Sequence, residues 1–217
     1  MERISKENYY LNIAQTVLER ATCLRRVYGA IIVKNDEIIS TGYNGAPRGR
    51  KNCVDMGFCT REAMQVPRGQ RYELCRSVHA EANAIISASR RDMVGGTLYL
   101  VGRNAQTGEL LHDATSCAMC RRLVINAGLS KVVIRNTETE YSVVDVQDWV
   151  DAPLKNNYME VTVTGDFKTE DIIPLLERTV GAVPKRADAP AKLDEKLRHP
   201  AMADFNFSKD LTYDSSI

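Results

Sequence analysis

The sequence predicts a layered α/β domain with a mixed central sheet, and three observations predict it. Short β-branched runs alternate with helical segments in the order helix, strand, strand, helix, strand, helix, strand, and strands separated by helices imply crossovers with some parallel pairing. The 217 residues are 44% hydrophobic, enough to bury the core of one domain. Lys+Arg (29) and Asp+Glu (28) nearly cancel to a formal +1, so no overall basic field draws the chain onto nucleic acid or an anionic membrane. Residues 1–6 hold no apolar leader-like stretch, and no later run nears the roughly 18 apolar residues of a membrane span. A cytoplasmic protein without a membrane partner is the expectation.

Each element has its own signal. Residues 7–22 carry Leu11, Ala14, Leu18 and Ala21 along one helical face. Residues 28–33 and 38–41 are β-branched runs around the turn chemistry of Lys34-Asn35-Asp36-Glu37, which reads as a β-hairpin. Residues 42–77 are polar and hold three cysteines; a loop of that length is functional or pinned by something. Residues 78–88 are alanine-rich and helical, and Gly95-Gly96 leads into a strand at 97–101. After a polar excursion at 102–115, Ser116 serves as the start of a helix that runs to Asn126 and stops near Gly128, followed by a strand at 131–135. Residues 160–164 read as a strand and 169–179 as a helix interrupted near Pro174. The domain is expected to span 1–180. Residues 181–217, rich in Pro, Ala and mixed charge, form a tail that is mobile or docked on a neighbouring subunit through Leu193, Leu197, Met202, Phe205 and Phe207.

Six cysteines stand against three histidines. A reducing compartment disfavours disulfides and leaves metal binding or catalysis as the better explanations. His79-Ala80-Glu81 opens one predicted helix, and Cys117-Ala118-Met119-Cys120 opens the next. Alone, the first is ordinarily a solvated helix start and the second a redox pair or buried thiols. Together they make a zinc set: two thiolates and a neutral imidazole neutralise the ion and leave the fourth position for water. Helix N-termini favour thiolates over thiols and favour a carboxylate. Zinc brings the pKa of its water toward neutrality, and a nearby carboxylate that is not a ligand can move protons. Glu81 is the candidate.

The motif resembles the H-x-E…P-C-x-x-C pattern of the zinc deaminases. Residues 5–135 are similar to the deoxycytidylate (dCMP) deaminases of the cytidine deaminase superfamily through residues 28–33, Gly42-Tyr43-Asn44-Gly45 with its flanks in 39–49, Cys75 to Ile85, and Cys117-x-x-Cys120. The resemblance implies a three-layer α/β/α cytidine deaminase-like fold around a central mixed sheet. It implies that His79, Cys117 and Cys120 bind zinc, that hydroxide attacks C4 of the cytosine ring, and that Glu81 shuttles the protons, converting dCMP to dUMP and ammonia. It further implies that Asn44 hydrogen-bonds the deoxyribose while the backbone at Gly45 approaches the nucleotide, that the chain is a homo-oligomer, and that dCTP and dTTP act as effectors. Arg25, Arg26 and Arg48 are the basic candidates for the 5′-phosphate, since guanidinium forks suit phosphate. The chain departs from the family at Ser116, where proline is usual, at Leu24 for a common proline, at Tyr28 for valine, and in the extra residues 102–115 with His112 and Asp113. His112 reads as a surface-loop histidine.

Cys23, Cys53, Cys59 and Cys75 remain. Free cysteines are ordinarily buried small hydrophobes, yet a closed four-cysteine zinc would hold the long loop that has little core of its own. The family includes members with a second zinc near the equivalents of Cys23 and Cys53. Arg25, Arg26, Lys51 and Arg76 flank these thiols and would offset their charge. Two other readings stay open: a deaminase of another aminated base or nucleoside, and a non-catalytic, zinc-stabilised regulator that binds nucleotides. An intact Glu81 argues against the second.

Overall fold

The computed structural model of the chain describes residues 3–67, 70–156, 165–179 and 181. Its internal contacts divide it into two units, Met1–Pro153 and Leu154–Ile217. The strand expected at 160–164 and the apolar tail residues lie outside the described residues.

The first unit runs α1 (Lys6–Leu18), β1 (Arg26–Lys34), β2 (Glu37–Tyr43), α2 (Cys53–Met56), α3 (Thr60–Ala63), α4 (Ala80–Ile86), α5 (Arg90–Met93), β3 (Thr97–Asn104), α6 (Ala118–Ala127), β4 (Lys131–Arg135), β5 (Tyr141–Asp145) and the start of α7 (Val146–Asn156). The strands form one sheet in the order β2-β1-β3-β4-β5. Only the β3/β4 pair is parallel; β1/β2, β1/β3 and β4/β5 are antiparallel. The mixed sheet expected from the alternation is therefore present. In the second unit, α8 (Thr169–Thr179) is continuous through Pro174, so the expected interruption does not occur. The missing N–H of Pro174 vacates a single hydrogen bond, and the flanking turns keep the rest. Among the described residues no helix is long and apolar enough to cross a membrane.

Local chemistry sets the element ends. Asn35 and Asp36 both take positive φ (52° and 64°), the backbone of the two-residue turn that matches the twist of a hairpin. Ser5 caps α1 by accepting from the Asn8 N–H. That helix stops at Leu18, short of the expected residue 22, because the Thr22 N–H is taken by the Asn44 carbonyl at 3.1 Å. Helix α6 is capped by Cys117 and stopped by Gly128 in the left-handed conformation. Ser116 is not the cap: its buried hydroxyl makes no hydrogen bond.

The alternating strand residues build two cores. Ile31, Val33, Tyr99, Val101 and Val133 pack on Tyr10, Leu11, Ala14 and Leu18 of α1. Ala30, Ile32, Leu98, Leu100, Val132 and Ile134 pack on Ala80, Ala84, Met93, Val124 and Ala127 of α4, α5 and α6. Helices thus cover both faces, giving three layers. Two glycines allow the closest approach. A Cβ on Gly29 would lie 2.1 Å from the Ala14 carbonyl oxygen of α1, and one on Gly42 would lie 2.3 Å from the Ala80 oxygen and the Ala84 nitrogen of α4. Ala30 pairs with Gly42 across β1 and β2, so backbones press onto neighbouring positions of the sheet from opposite sides.

Candidate metal centre

Because β2 and β3 are each antiparallel to β1, they run in the same direction, and β4 follows β3. The Gly45–Val78 bridge returns the chain from the end of β2 to the start of α4, and α6 is the next helix after β3, so both helices begin near the carboxyl ends of co-directional strands, where open α/β sheets gather ligands. His79 is the N-cap of α4 and Cys117 the N-cap of α6. His79 Nδ1 lies 3.5 Å from Cys117 Sγ and 3.3 Å from Cys120 Sγ. Among the described residues this is the set of three or more donors within 4.8 Å of one another.

The donors fit zinc. A tetrahedral ion with Zn–S of about 2.3 Å and Zn–N of about 2.0–2.1 Å sets its donor atoms about 3.5 Å apart. Two sulfurs and one imidazole nitrogen are the borderline-soft set that zinc takes, with one position left over. Electrostatics already lean that way. The hydrogen bond shared with Cys120 draws the Cys117 thiol down to about 3, aided by His79 and by the Cys120 backbone N–H at the helix start. The same shared proton, burial and the nearby Glu81 carboxylate push the Cys120 thiol up, and the bond to Cys117 raises the His79 imidazole. A metal at these donors would displace their thiol protons, since thiol ligands bind deprotonated.

Glu81 sits in the first turn of α4, 5% exposed. It reaches Cys120 but is outside the donor set.

The loop after β2 is stitched to the start of α4. Gly45 and Val78 exchange backbone hydrogen bonds of 3.2 and 2.8 Å, and the Asn83 amide donates to the Tyr43 carbonyl at 2.7 Å. Asn44 is 5% exposed. Its Oδ1 accepts from the Tyr28 N–H at 2.7 Å and its Nδ2 donates to the Arg26 carbonyl at 2.8 Å. The side chain expected to meet a sugar therefore also binds the first turns of β1, and its amide retains one further N–H. Of the basic candidates, Arg25 pairs with Glu62 at 2.8 Å, Arg26 is half-buried at the start of β1, and Arg48 is exposed.

The remaining thiols are not drawn together. Cys53 is buried, and Cys23, Cys59 and Cys75 are half-buried, but no three of their sulfurs meet the spacing of the first set. They are near enough to feel one another: burial pushes the Cys53 and Cys75 thiols up, and the neighbouring thiols add to it. Cys23 and Cys59 line a cleft of about 600 Å³ with Leu24, Val54 and Phe58.

The extra segment at 102–115 continues β3 to Asn104 and doubles back. Arg103 bridges Leu110, the Leu111 N–H bonds the Gly102 carbonyl at 2.9 Å, and Ala114 enters the core. His112, 67% exposed and paired with Asp113 at 2.7 Å, is a surface histidine as expected.

Two residues near the centre escaped the sequence reading. The Tyr72 ring stands perpendicular to that of His79, 5.2 Å between centroids, and Arg61, 6% exposed, lies over Tyr72 at 4.6 Å. No periodicity links positions 61, 72 and 79 across a loop, so the sequence offered no signal for this stack.

Comparison with known proteins follows the same lines. The profile of the family described as "Cytidine and deoxycytidylate deaminase zinc-binding region" matches residues 4–136. A deoxycytidylate deaminase of Mycobacterium phage D29 is 34% identical over 138 residues, covering 61% of this chain and 96% of that protein. One from Schizosaccharomyces pombe is 33% identical over 131 residues, covering 60% of this chain and 37% of that protein. Among solved structures, the dCMP deaminase of cyanophage S-TIM5 in complex with dCMP and dUMP is 24% identical, with 62% of this chain and 85% of that chain covered and a TM-score of 0.42. The chain thus spans nearly all of the phage D29 protein and little more than a third of the fission-yeast one.

Proposed function

The chain belongs to the cytidine and deoxycytidylate deaminase zinc-binding family, and from that premise we propose that it is a zinc-dependent hydrolase converting dCMP to dUMP and ammonia. The observation that carries this reading is the convergence of His79, Cys117 and Cys120 from two helix starts, with Glu81 beside them and outside the donor set. His79, Cys117 and Cys120 hold the zinc. When bound, zinc supplies a Lewis-acidic position that makes water acidic near neutral pH. Glu81 takes a proton from the water that attacks C4 of the cytosine ring and gives it to N3; it then takes the proton of the new C4 hydroxyl and delivers it to the amino nitrogen, so that the C4–N bond breaks, ammonia leaves and the C4 carbonyl forms. Its burial keeps bulk water from competing for these transfers.

The nucleotide lies along the loop that carries Asn44 and Gly45. The uncommitted N–H of the Asn44 amide faces the sugar, and Gly45 lies next to it in the same loop. Arg25, Arg26 and Arg48 meet the 5′-phosphate, with Arg25 exchanging Glu62 for the substrate. Residues 1–180 make up the deaminase domain and 181–217 the tail, and the chain works as a homo-oligomer that responds to dCTP and dTTP. A second, structural zinc binds Cys23, Cys53, Cys59 and Cys75. What supports it is that Cys53 and Cys75 each lie in the field of neighbouring thiols, within a loop short of apolar core; binding would draw the sulfurs inward.

The test is ammonia release from dCMP, dCTP, CMP, deoxycytidine, cytosine and guanine, run on protein of known zinc content. Selective turnover of dCMP supports the reading. Faster turnover of another member of the panel reassigns the substrate, and no turnover by zinc-loaded protein turns it into a nucleotide-binding regulator. Two zinc ions per chain support the second site, and one leaves the four loop cysteines as ordinary thiols.

A further inference from the structure

We infer that Tyr72 is a positioning residue for His79, fixing the imidazole through a perpendicular ring contact where a metal-ligating histidine is ordinarily held by a carboxylate, a carbonyl or water. The inference rests on the reading of His79 as a zinc ligand. Both sulfur contacts of His79 are made by Nδ1, at 3.5 and 3.3 Å, so the ring must keep that atom turned toward Cys117 and Cys120. Among the described residues no hydrogen-bond acceptor holds Nε2 at the other side of the ring. The contact that remains is Tyr72, whose ring centroid is 5.2 Å away at an interplanar angle of 86°. Perpendicular aromatic pairs are favoured because the positive edge of one ring meets the negative face of the other. Turning His79 about its ring torsion would break that contact and carry Nδ1 away from the sulfurs.

Tyr72 is itself held. It begins a short 3-10 turn, Tyr72–Leu74, and its carbonyl accepts from the Cys75 N–H at 2.9 Å. The Arg61 guanidinium lies over its ring at 4.6 Å and donates to the Pro67 and Gln70 carbonyls. Arg61 is 6% exposed, and among the described residues it makes no ion pair. A buried cation without a carboxylate gains from an aromatic face, so Arg61 and Tyr72 brace each other. The order of support runs from Arg61 to Tyr72 to His79, through a loop that donates nothing to the metal directly.

The experiment compares Tyr72→Leu and Tyr72→Phe by the rate of zinc release to a coloured chelator and by the absorption spectrum of the cobalt-substituted protein. Circular dichroism and urea titration control for folding. Tyr72→Leu should release zinc about 10-fold faster and shift the cobalt bands, while Tyr72→Phe, which keeps the ring, should match the parent in both. Native zinc release and a native cobalt spectrum in Tyr72→Leu overturn the inference, and so does a Tyr72→Phe variant as impaired as Tyr72→Leu. If the leucine variant does not fold, Tyr72→Met serves in its place. His79→Ala, measured alongside, separates the two readings: if it retains full zinc, the ligand assignment has failed; if it loses zinc while Tyr72→Leu behaves as the parent, only the role of Tyr72 has.

Discussion

Two groups of metal-capable side chains share this molecule, and they are organised differently. His79, Cys117 and Cys120 stand at the first turns of two helices that pack on one face of the sheet, and their donor atoms lie within 4.8 Å of one another. Cys23, Cys53, Cys59 and Cys75 are spread over the segment after α1 and the excursion between β2 and α4, and among them no three sulfurs reach the spacing of the first set. The difference teaches where preorganisation comes from. Helices seated by apolar burial carry their first residues to fixed places, whereas a loop held by backbone hydrogen bonds leaves its side chains to be gathered by whatever binds them. The helix-borne group thus has the fixed geometry that a preorganised site requires, whereas a site at the loop-borne group would have to form together with its ligand.

The sharpest test of that contrast is Glu81→Gln. It keeps the shape of the helix-borne site and removes only the proton carrier, so turnover should fall by about 10²- to 10⁴-fold with one zinc per chain retained at the centre, as steady-state kinetics and metal analysis would measure. Turnover near the parent rate would break the assignment of Glu81. Next in size is Asn44→Ala. It leaves the Tyr28 N–H and the Arg26 carbonyl without partners, at a cost of about 1–3 kcal/mol in urea unfolding, and it should lower kcat/KM for the nucleotide. A variant with native stability would show that the loop is not held through this amide. The smallest effect is expected from Cys53→Ser. Zinc content should drop by one ion per chain with kcat on dCMP within about twofold of the parent. A large loss of kcat would mean that the two groups are not independent.

How much of this was legible in the sequence depended on whether the signal was local. The hairpin around Asn35 and Asp36 and the helix starts at His79 and Cys117 announce themselves through turn chemistry, spacing and capping. Strand β5 and helix α7 do not. Tyr141 to Asp145 lies at the sheet edge, with its residues half-buried or exposed, so it shows no strong alternation. Val146 then opens α7 directly, without glycine or proline to mark the change. Asn44 shows a second limit. Its motif pointed to a ligand, yet the structure gives its amide two partners in the backbone of β1, a duty that sequence pattern does not display. Ser116 failed for a third reason: a serine is the commoner cap, but here the Cys117 sulfur occupies that position and accepts the bond. Arg61 and Tyr72 were invisible because contacts across an irregular loop have no period.

The paired hydrogen bonds between Gly45 and Val78 close residues 46–77 at their base. Such an excursion behaves as a cassette. Its length can change at an entropic cost that grows only with the logarithm of the number of residues, while the strand that precedes it and the helix that follows keep their register. A change of length within 46–77 would therefore leave the Gly45–Val78 closure, and with it the seat of His79, in place.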